Sequence, residues 1–494
     1  MIRSLIAGAL VMLLGAADFA QVPADGVRPE IFKPVPKPVA RPLPGPKDEL
    51  AILAKSKVTG AVGWLVVDIE TGEALAQYNA DQAFAPASVA KLPTAGFALD
   101  RLGGNFQFET KIATTGPVKN EVLQGDLVLI GGGDPELDTD ALLPLVLQAQ
   151  ERGFREIAGR FIADPGQIEQ RPTIDQDQPV EAAYNPGVSG LNLNFNRARV
   201  KWSKQGIRVS AKADRLDPEV PSIEVRRGTL PGSPVFQHQM AETGERWQIA
   251  DAAMRRPGEV WLPVKDPSTY AAQVFRDLAQ VYGMALPKAT VGPAPEAEVI
   301  AVYRGRPLKS VLRYMLKYST NLTAEAVGIA ASGAPNLPGS ADAMNRWAAQ
   351  VSGFAEGDPG FQLVNHSGLT VDSRVSPRRM VELLQALAAR PNGSHLRLPG
   401  PIAGLLKRHN VAAENDKLDH KRLAVVAKTG TMNFIRGLAG YVATPGGRVL
   451  AFAIFSNDLE LRAREKTRHG GWMRRARALE RALVRNWVRR ADQG

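Results

Sequence analysis

Strand-like segments lie at the two ends of the folded part of this chain, and that separation constrains the fold more than any other feature. Residues 60–69 (GAVGWLVVDI) read as a buried strand, Glu70-Thr71-Gly72 as a turn, and 73–78 as the returning strand. Far downstream, 422–431, 438–444 and 449–456 are strand-like, the last two joined by the hairpin signal Pro445-Gly446-Gly447. Helical patterns fill 91–102, 307–331, 341–351 and 377–389, and another, 471–490, closes the chain. Strands at both ends with helices between imply one α/β (α+β) domain assembled from two pieces, 48–114 and 300–494. The middle, 115–299, is punctuated by Gly and Pro, with short strand patterns at 125–130, 159–163 and 200–212. It reads as a large inserted β-rich domain, with a short nested insertion at about 196–248.

The 494 residues are 44% hydrophobic and 22% charged, an ordinary globular balance with room for two or three domains. There is no cysteine, which excludes disulfides, thiolate nucleophiles and Cys-based metal centres. The six histidines are scattered without an HExxH pattern, so no metal or cofactor is expected. Residues 1–20 carry a basic start, an apolar run over 5–14 and small residues after it, the pattern of a secretory signal cleaved after Ala17 or Ala20. The run is shorter than the ~20 residues a bilayer span needs. Residues 21–47 hold repeated prolines (Pro34, Pro36, Pro38, Pro42, Pro44, Pro46) and read as an extended linker. An exported, periplasmic protein is the expectation.

Net charge is +11, and it is not evenly spread. From Arg462 onward eleven Lys and Arg face three acids, which accounts for eight of those eleven charges. Trp472, Ala476, Leu479, Leu483 and Trp487 recur there at helical spacing, so the tail is a basic amphipathic helix. Its apolar stripe is expected to pack on the sheet with arginines outward. A sharper reading adds a loose hold on anionic membrane lipid. Nucleic acid is not expected as a partner.

Three short motifs carry chemistry. Ser88-Val89-Ala90-Lys91 follows Pro86, so Ser88 opens a helix and Lys91 lies on the same face one turn on. A serine there has free backbone N–H groups beside it, and Lys91 takes its proton only when neutral, which demands burial or a second cation. Ser319-Thr320-Asn321 lies in the helical region 307–331, and the two polar side chains share one site only if a loop breaks that helix. Lys428-Thr429-Gly430-Thr431 ends an apolar strand. It offers a strand edge, a hydroxyl and a cation to an extended peptide, with Gly430 allowing close backbone approach.

S-x-x-K, S-x-N and K-T-G in that order resemble the signature of serine β-lactamases and penicillin-binding proteins. The long interval between the first two motifs resembles the class C low-molecular-mass penicillin-binding proteins, D-alanyl-D-alanine carboxypeptidases and endopeptidases with a large insertion. Three further segments resemble the same family: 125–135 (G-D-L…G-G-G-D-P), 365–370 (N-H-S-G-L-T) and 437–441 (G-L-A-G-Y). The resemblance implies a transpeptidase-like domain, an antiparallel sheet flanked by helices, acting on peptidoglycan stem peptides and acylated by β-lactams. Ser88 would be the nucleophile and Lys91 its base. Ser319 would relay the proton to the leaving amine, Asn321 would position Lys91 and the substrate amide, and Lys428 would complete the positive field. Thr429 and Thr431 would hold the terminal carboxylate beside Gly430, and the N–H groups of Ser88 and Thr431 would form the oxyanion hole. Asp164 is the match in the insertion for an acid reading the diaminopimelate side chain. Thr320 stands where many relatives carry Asp, and Asn365-His366 replace the usual Asp-Gly. The rival readings are a serine β-lactamase on the same framework and a non-catalytic peptidoglycan-binding scaffold.

Overall fold

The computed structural model describes residues 47–231, 235–242, 244–389, 400–411, 423–465 and 470–493. The expected signal segment and all but the last residue of the proline-rich linker lie outside the described residues, as do Lys466 and Arg468 of the basic tail. The strands from the two ends of the folded part do meet. Strands β1 (Ala61–Asp68), β2 (Ala74–Tyr78), β3 (Lys407–His409), β4 (Ala424–Met432), β5 (Ile435–Ala443) and β6 (Val449–Asn457) form one sheet in the order β3-β4-β5-β6-β1-β2. Every neighbouring pair is antiparallel, and β1 runs along β6 from Ala61 opposite Asn457 to Asp68 opposite Leu450. The 445–447 signal makes the β5–β6 turn, where Gly447 takes φ 93° and donates to the Thr444 carbonyl.

All nine residues of β5 are buried, so the sheet must be covered on both faces. The helices used below are α1 (Lys47–Ser56), α2 (Lys91–Leu102), α3 (Leu308–Tyr318), α4 (Asn321–Ser332) and α5 (Gly470–Gln493). On one face Trp64, Val66, Leu438, Phe452 and Ile454 pack against Leu479, Leu483, Val484, Trp487 and Val488 of α5. Each such side chain contributes roughly 1.5–3 kcal/mol when withdrawn from water, which is why the amphipathic tail docks on the sheet. Glu49 of α1 then accepts from Arg490 Nη1 (2.6 Å) and Asn486 Nδ2 (3.2 Å) and locks the two terminal helices together. The apolar stripe of α5 is therefore spent inside the fold, and only its arginine face meets solvent. On the other face the helix Pro377–Ala388 packs on β6 and β1, and the Tyr441 hydroxyl donates to the Leu384 carbonyl (2.8 Å).

The intervening segment has a core of its own. A five-stranded sheet orders Thr290–Val291, Phe161–Asp164, Leu127–Ile130, Glu109–Thr114 and Glu298–Arg304. The expected limits at 114 and 300 fall within its last two strands, which pair antiparallel with each other, so both belong to the inserted sheet. Two further three-stranded sheets lie between 197 and 263. Gly258–Pro263 pairs with Arg197–Ser203, so the strand pairing of this stretch runs on past residue 248 to 263. Helices accompany these strands. Helices Thr139–Gln150 and Pro267–Val281 are each N-capped by an aspartate, Asp138 and Asp266, accepting from Ala141 N and Thr269 N.

The long helical region breaks where the second motif needs it to. Ser319 ends α3 in the left-handed region (φ 62°), and α4 begins two residues later at Asn321.

Candidate active site

Pro86 leads into a single 3-10 turn, Ala87–Ala90, that continues directly into α2 with Lys91 as its first residue. Ala87 is held at φ 47°, a costly value for a residue with a Cβ, so the turn that presents Ser88 is set by its packing rather than by local preference. Lys91 Nζ lies 3.0 Å from Ser88 Oγ, 2.8 Å from Asn321 Oδ1 and 2.7 Å from the Ser367 carbonyl. Asn321 Nδ2 donates to the Tyr184 carbonyl (2.9 Å), which fixes the amide so that its oxygen faces the lysine. Two of the three neighbours of Nζ are thus pure acceptors and consume N–H bonds. A neutral amine has two of those, so its lone pair is left pointing at Ser88.

The electrostatics favour that neutral form. Burial, followed by the nearby Lys428 cation, pushes the Lys91 amine well below its ordinary range, while Glu325 opposes the shift. Lys428 is itself buried, and burial together with Arg436 and Lys407 brings it down to about 7. Its Nζ donates to Ser319 Oγ (3.0 Å) and to the Thr429 carbonyl (2.8 Å). Ser319 therefore accepts from Lys428 and has its own proton free to give.

Strand β3 covers β4 only from Val425 to Ala427, so from Lys428 onward the edge of β4 faces the cleft among the described residues. The cleft, about 830 Å³, is lined along this edge by Ser88, Ser319, Asn321, Thr429, Thr431 and Met432. Gly430 turns out to serve the nucleophile turn: a Cβ there would lie 2.3 Å from the Pro86 carbonyl and 3.2 Å from Ala87 Cβ. Its bare face lets β4 close on the Ser88 turn. Thr431 Oγ1 accepts from Arg436 Nη1 (2.7 Å), whose Nε is bound to both oxygens of the buried Glu480 (2.9 and 3.0 Å). Arg436 faces Thr431 directly across the β4–β5 ladder.

Asp164 is not in this cleft. Its Oδ1 accepts from Gly166 N (2.7 Å) and its Oδ2 from Ala294 N (2.9 Å), so both oxygens staple backbone, and the expected substrate contact fails for this residue. The inserted segment reaches the cleft instead through Asp177, Gln178, Pro179 and Tyr184. Sequence reasoning also passed over Glu325, buried one turn after Asn321, which accepts from the N–H groups of His366 (3.0 Å) and Ser367 (2.9 Å). Those bonds place the Ser367 carbonyl that orients Lys91. His366 is wholly buried, its Nε2 against Ser340 Oγ (2.7 Å), and burial holds it down to about 3, so it stays neutral and takes no part in proton traffic. Gly328 makes room for that ring: a Cβ would stand 2.2 Å from it.

A buried, neutralised lysine standing where other serine hydrolases place histidine is the device of the serine β-lactamase and penicillin-binding superfamily, and fold and site together put this chain in that class. Within it the family is narrower. The D-Ala-D-Ala carboxypeptidase 3 (S13) family profile matches residues 49–477, and the chain belongs to that family, the class C low-molecular-mass penicillin-binding proteins. It is 29% identical over 453 residues to a D-alanyl-D-alanine carboxypeptidase of an Actinomadura species, covering 82% of this chain and 80% of the relative. Another D-alanyl-D-alanine carboxypeptidase, from Haemophilus influenzae, is 24% identical over 411 residues, covering 80% and 85%. The crystal structure of penicillin binding protein 4 from Haemophilus influenzae superposes with a TM-score of 0.71 at 21% identity, covering 89% of this chain and 99% of that one. The same protein complexed with a β-lactam gives a TM-score of 0.66 at 22% identity, with the same coverage.

Proposed function

We propose that this protein is a serine D-alanyl-D-alanine carboxypeptidase, acting outside the cytoplasm on peptidoglycan stem peptides through an acyl-enzyme on Ser88. The observation that carries the reading is the triple contact of Lys91 Nζ with Ser88 Oγ and two fixed acceptors. In this reading the peptide lies along the free edge of β4. Lys91 takes the Ser88 proton as Oγ attacks the carbonyl of the penultimate D-Ala, and the N–H groups of Ser88 and Thr431 receive the developing oxyanion. Ser319 passes a proton to the departing amine of the terminal D-Ala, whose carboxylate is held by Thr429, Thr431 and the charge of Lys428. Water then hydrolyses the ester, and Lys91 and Ser88 return to their starting state. A β-lactam ring opens by the same attack and leaves a stable ester.

The test is D-Ala release from a peptide ending in D-Ala-D-Ala, with capture of fluorescent penicillin mapped to the Ser88 peptide. Release with lasting capture supports the reading. Rapid penicillin turnover would favour the β-lactamase rival, and absence of both would favour a non-catalytic scaffold. For anionic lipid, support comes only from the exposed arginines of α5, so such contact would rest on charge alone and vanish with salt.

The two lysines also set a pH profile. Lys428 must be protonated to attract the carboxylate, and its free-enzyme value is about 7, so the cation is lost as pH rises through that value. kcat/KM is therefore expected to fall on the alkaline side with an apparent pKa near 7. kcat, read with the substrate carboxylate beside Nζ to favour the cation, should hold to higher pH. A kcat/KM that stays level to pH 9 would remove Lys428 from carboxylate recognition.

A further inference from the structure

Past Thr429, where β3 begins to cover β4, a second recess of about 320 Å³ opens beside the catalytic cleft. Its walls carry Lys407 from β3, Lys317 from the last turn of α3, and Arg477 and Arg481, one turn apart on α5, with Arg436 at its base. Lys317, Lys407, Arg477 and Arg481 are exposed. A smaller cavity continues from it past Arg436 and Glu480. Glu480 is the single acidic side chain among the described residues lining either space, and both its oxygens are committed to Arg436. Cations gathered in a concave wall focus a positive potential on whatever enters.

The recess continues the substrate track. Thr429 lines both the cleft and the recess, and Arg436 reaches from the recess to Thr431 Oγ1. On the reading above, the N–H groups of Ser88 and Thr431 receive the scissile carbonyl, and of the residues that hold the terminal carboxylate Thr429 is the one that also lines the recess. The next step along β4 in that direction is Ala427, opposite Lys407. A leaving group larger than D-Ala has this recess as its next volume.

We propose that the recess binds acidic groups on the leaving side of the scissile bond, so that the enzyme favours substrates whose departing residue carries a second carboxylate or continues into an acidic peptide. The inference rests on the carboxypeptidase reading of the cleft. Its test uses the full-length protein and three peptides with a common acyl portion, ending in D-Ala-D-Ala, D-Ala-D-Glu and D-Ala-D-Lys. At low ionic strength kcat/KM is expected to be about tenfold higher for the D-Glu than for the D-Ala leaving residue, lowest for D-Lys, and to converge as salt is raised. In the double variant Arg477→Gln, Arg481→Gln the D-Glu to D-Ala ratio should fall to about one. Arg474→Gln, elsewhere on the exposed face of α5, should leave the ratio as it is. D-Ala release without a D-Glu preference, or a ratio unmoved by the double variant, overturns the inference and leaves the carboxypeptidase reading standing. If no D-Ala is released and no penicillin is captured at Ser88, both fall.

Discussion

Lys91→Met is expected to slow acylation of Ser88 by about 10³–10⁴-fold, the range a positioned general base supplies. No other described side chain is in hydrogen-bond contact with Ser88 Oγ; His366, wholly buried, bonds Ser340 instead. The thioether keeps most of the lysine's volume but offers no lone pair basic enough to take the proton. The fold should survive. Asn321 Oδ1 and the Ser367 carbonyl lose a donor, at a cost on the order of 1–3 kcal/mol, and relief of a buried amine works in the opposite direction. Rates of fluorescent-penicillin capture, with Ser88→Ala as the floor and thermal unfolding as the control, measure this directly. Acylation within tenfold of the native rate would take Lys91 out of the role of base.

Glu325→Ala should have the largest effect on stability. The substitution strips the acceptor from two buried amides, His366 N and Ser367 N, and removes a buried carboxylate near Lys91. Breaking such an arrangement costs about 3–5 kcal/mol, to be read from chemical unfolding. The catalytic consequence has a definite sign. Glu325 holds the Lys91 value up against burial and Lys428, so without it the amine becomes neutral at still lower pH. The acid limb of kcat/KM then moves down. Glu325→Gln keeps one acceptor and should lose less stability while shifting the limb the same way. An unmoved limb would reduce Glu325 to a packing role.

What the sequence disclosed about this site follows from which groups act through side chains. Ser88, Lys91, Ser319, Asn321 and Lys428 are brought together as their motifs imply, because each motif travels with the local element that aims it: a helix start, a helix break and a strand edge. The carbonyls of Tyr184 and Ser367 leave no residue signature, since any residue supplies one, and Glu325 and Arg436 act on other residues rather than on a substrate. Gly430 announces a close approach without saying by what, and the Pro86–Ala87 turn that meets it carries no mark of that in the sequence. Asp164 failed because a carboxylate stapling two backbone amides looks the same in sequence as one facing a ligand. In the fold, β1, β5 and β6 were legible from unbroken apolar runs. The insertion's limits were not, since Glu109–Thr114 and Glu298–Arg304 pair across nearly two hundred residues. The described helices Thr139–Gln150 and Pro267–Val281 start at the aspartate caps Asp138 and Asp266, which are legible in the sequence.

The route by which β1 finds its partners has a bearing on when this protein becomes reactive. On one side β1 is bonded to β2, made moments later, but on the other it waits for β6, the last strand synthesised among the described residues. The nucleophile and its base are therefore made early, while the strand edge that presents substrate to them is made late and reaches the sheet only through β5 and β6. A chain cut short before residue 449 can carry every side chain of the cleft's three motifs and still lack the sheet that aligns them. Contacts so distant in sequence form slowly, so acylation by penicillin is expected to report completed synthesis and folding, with a chain cut before residue 449 left unlabelled.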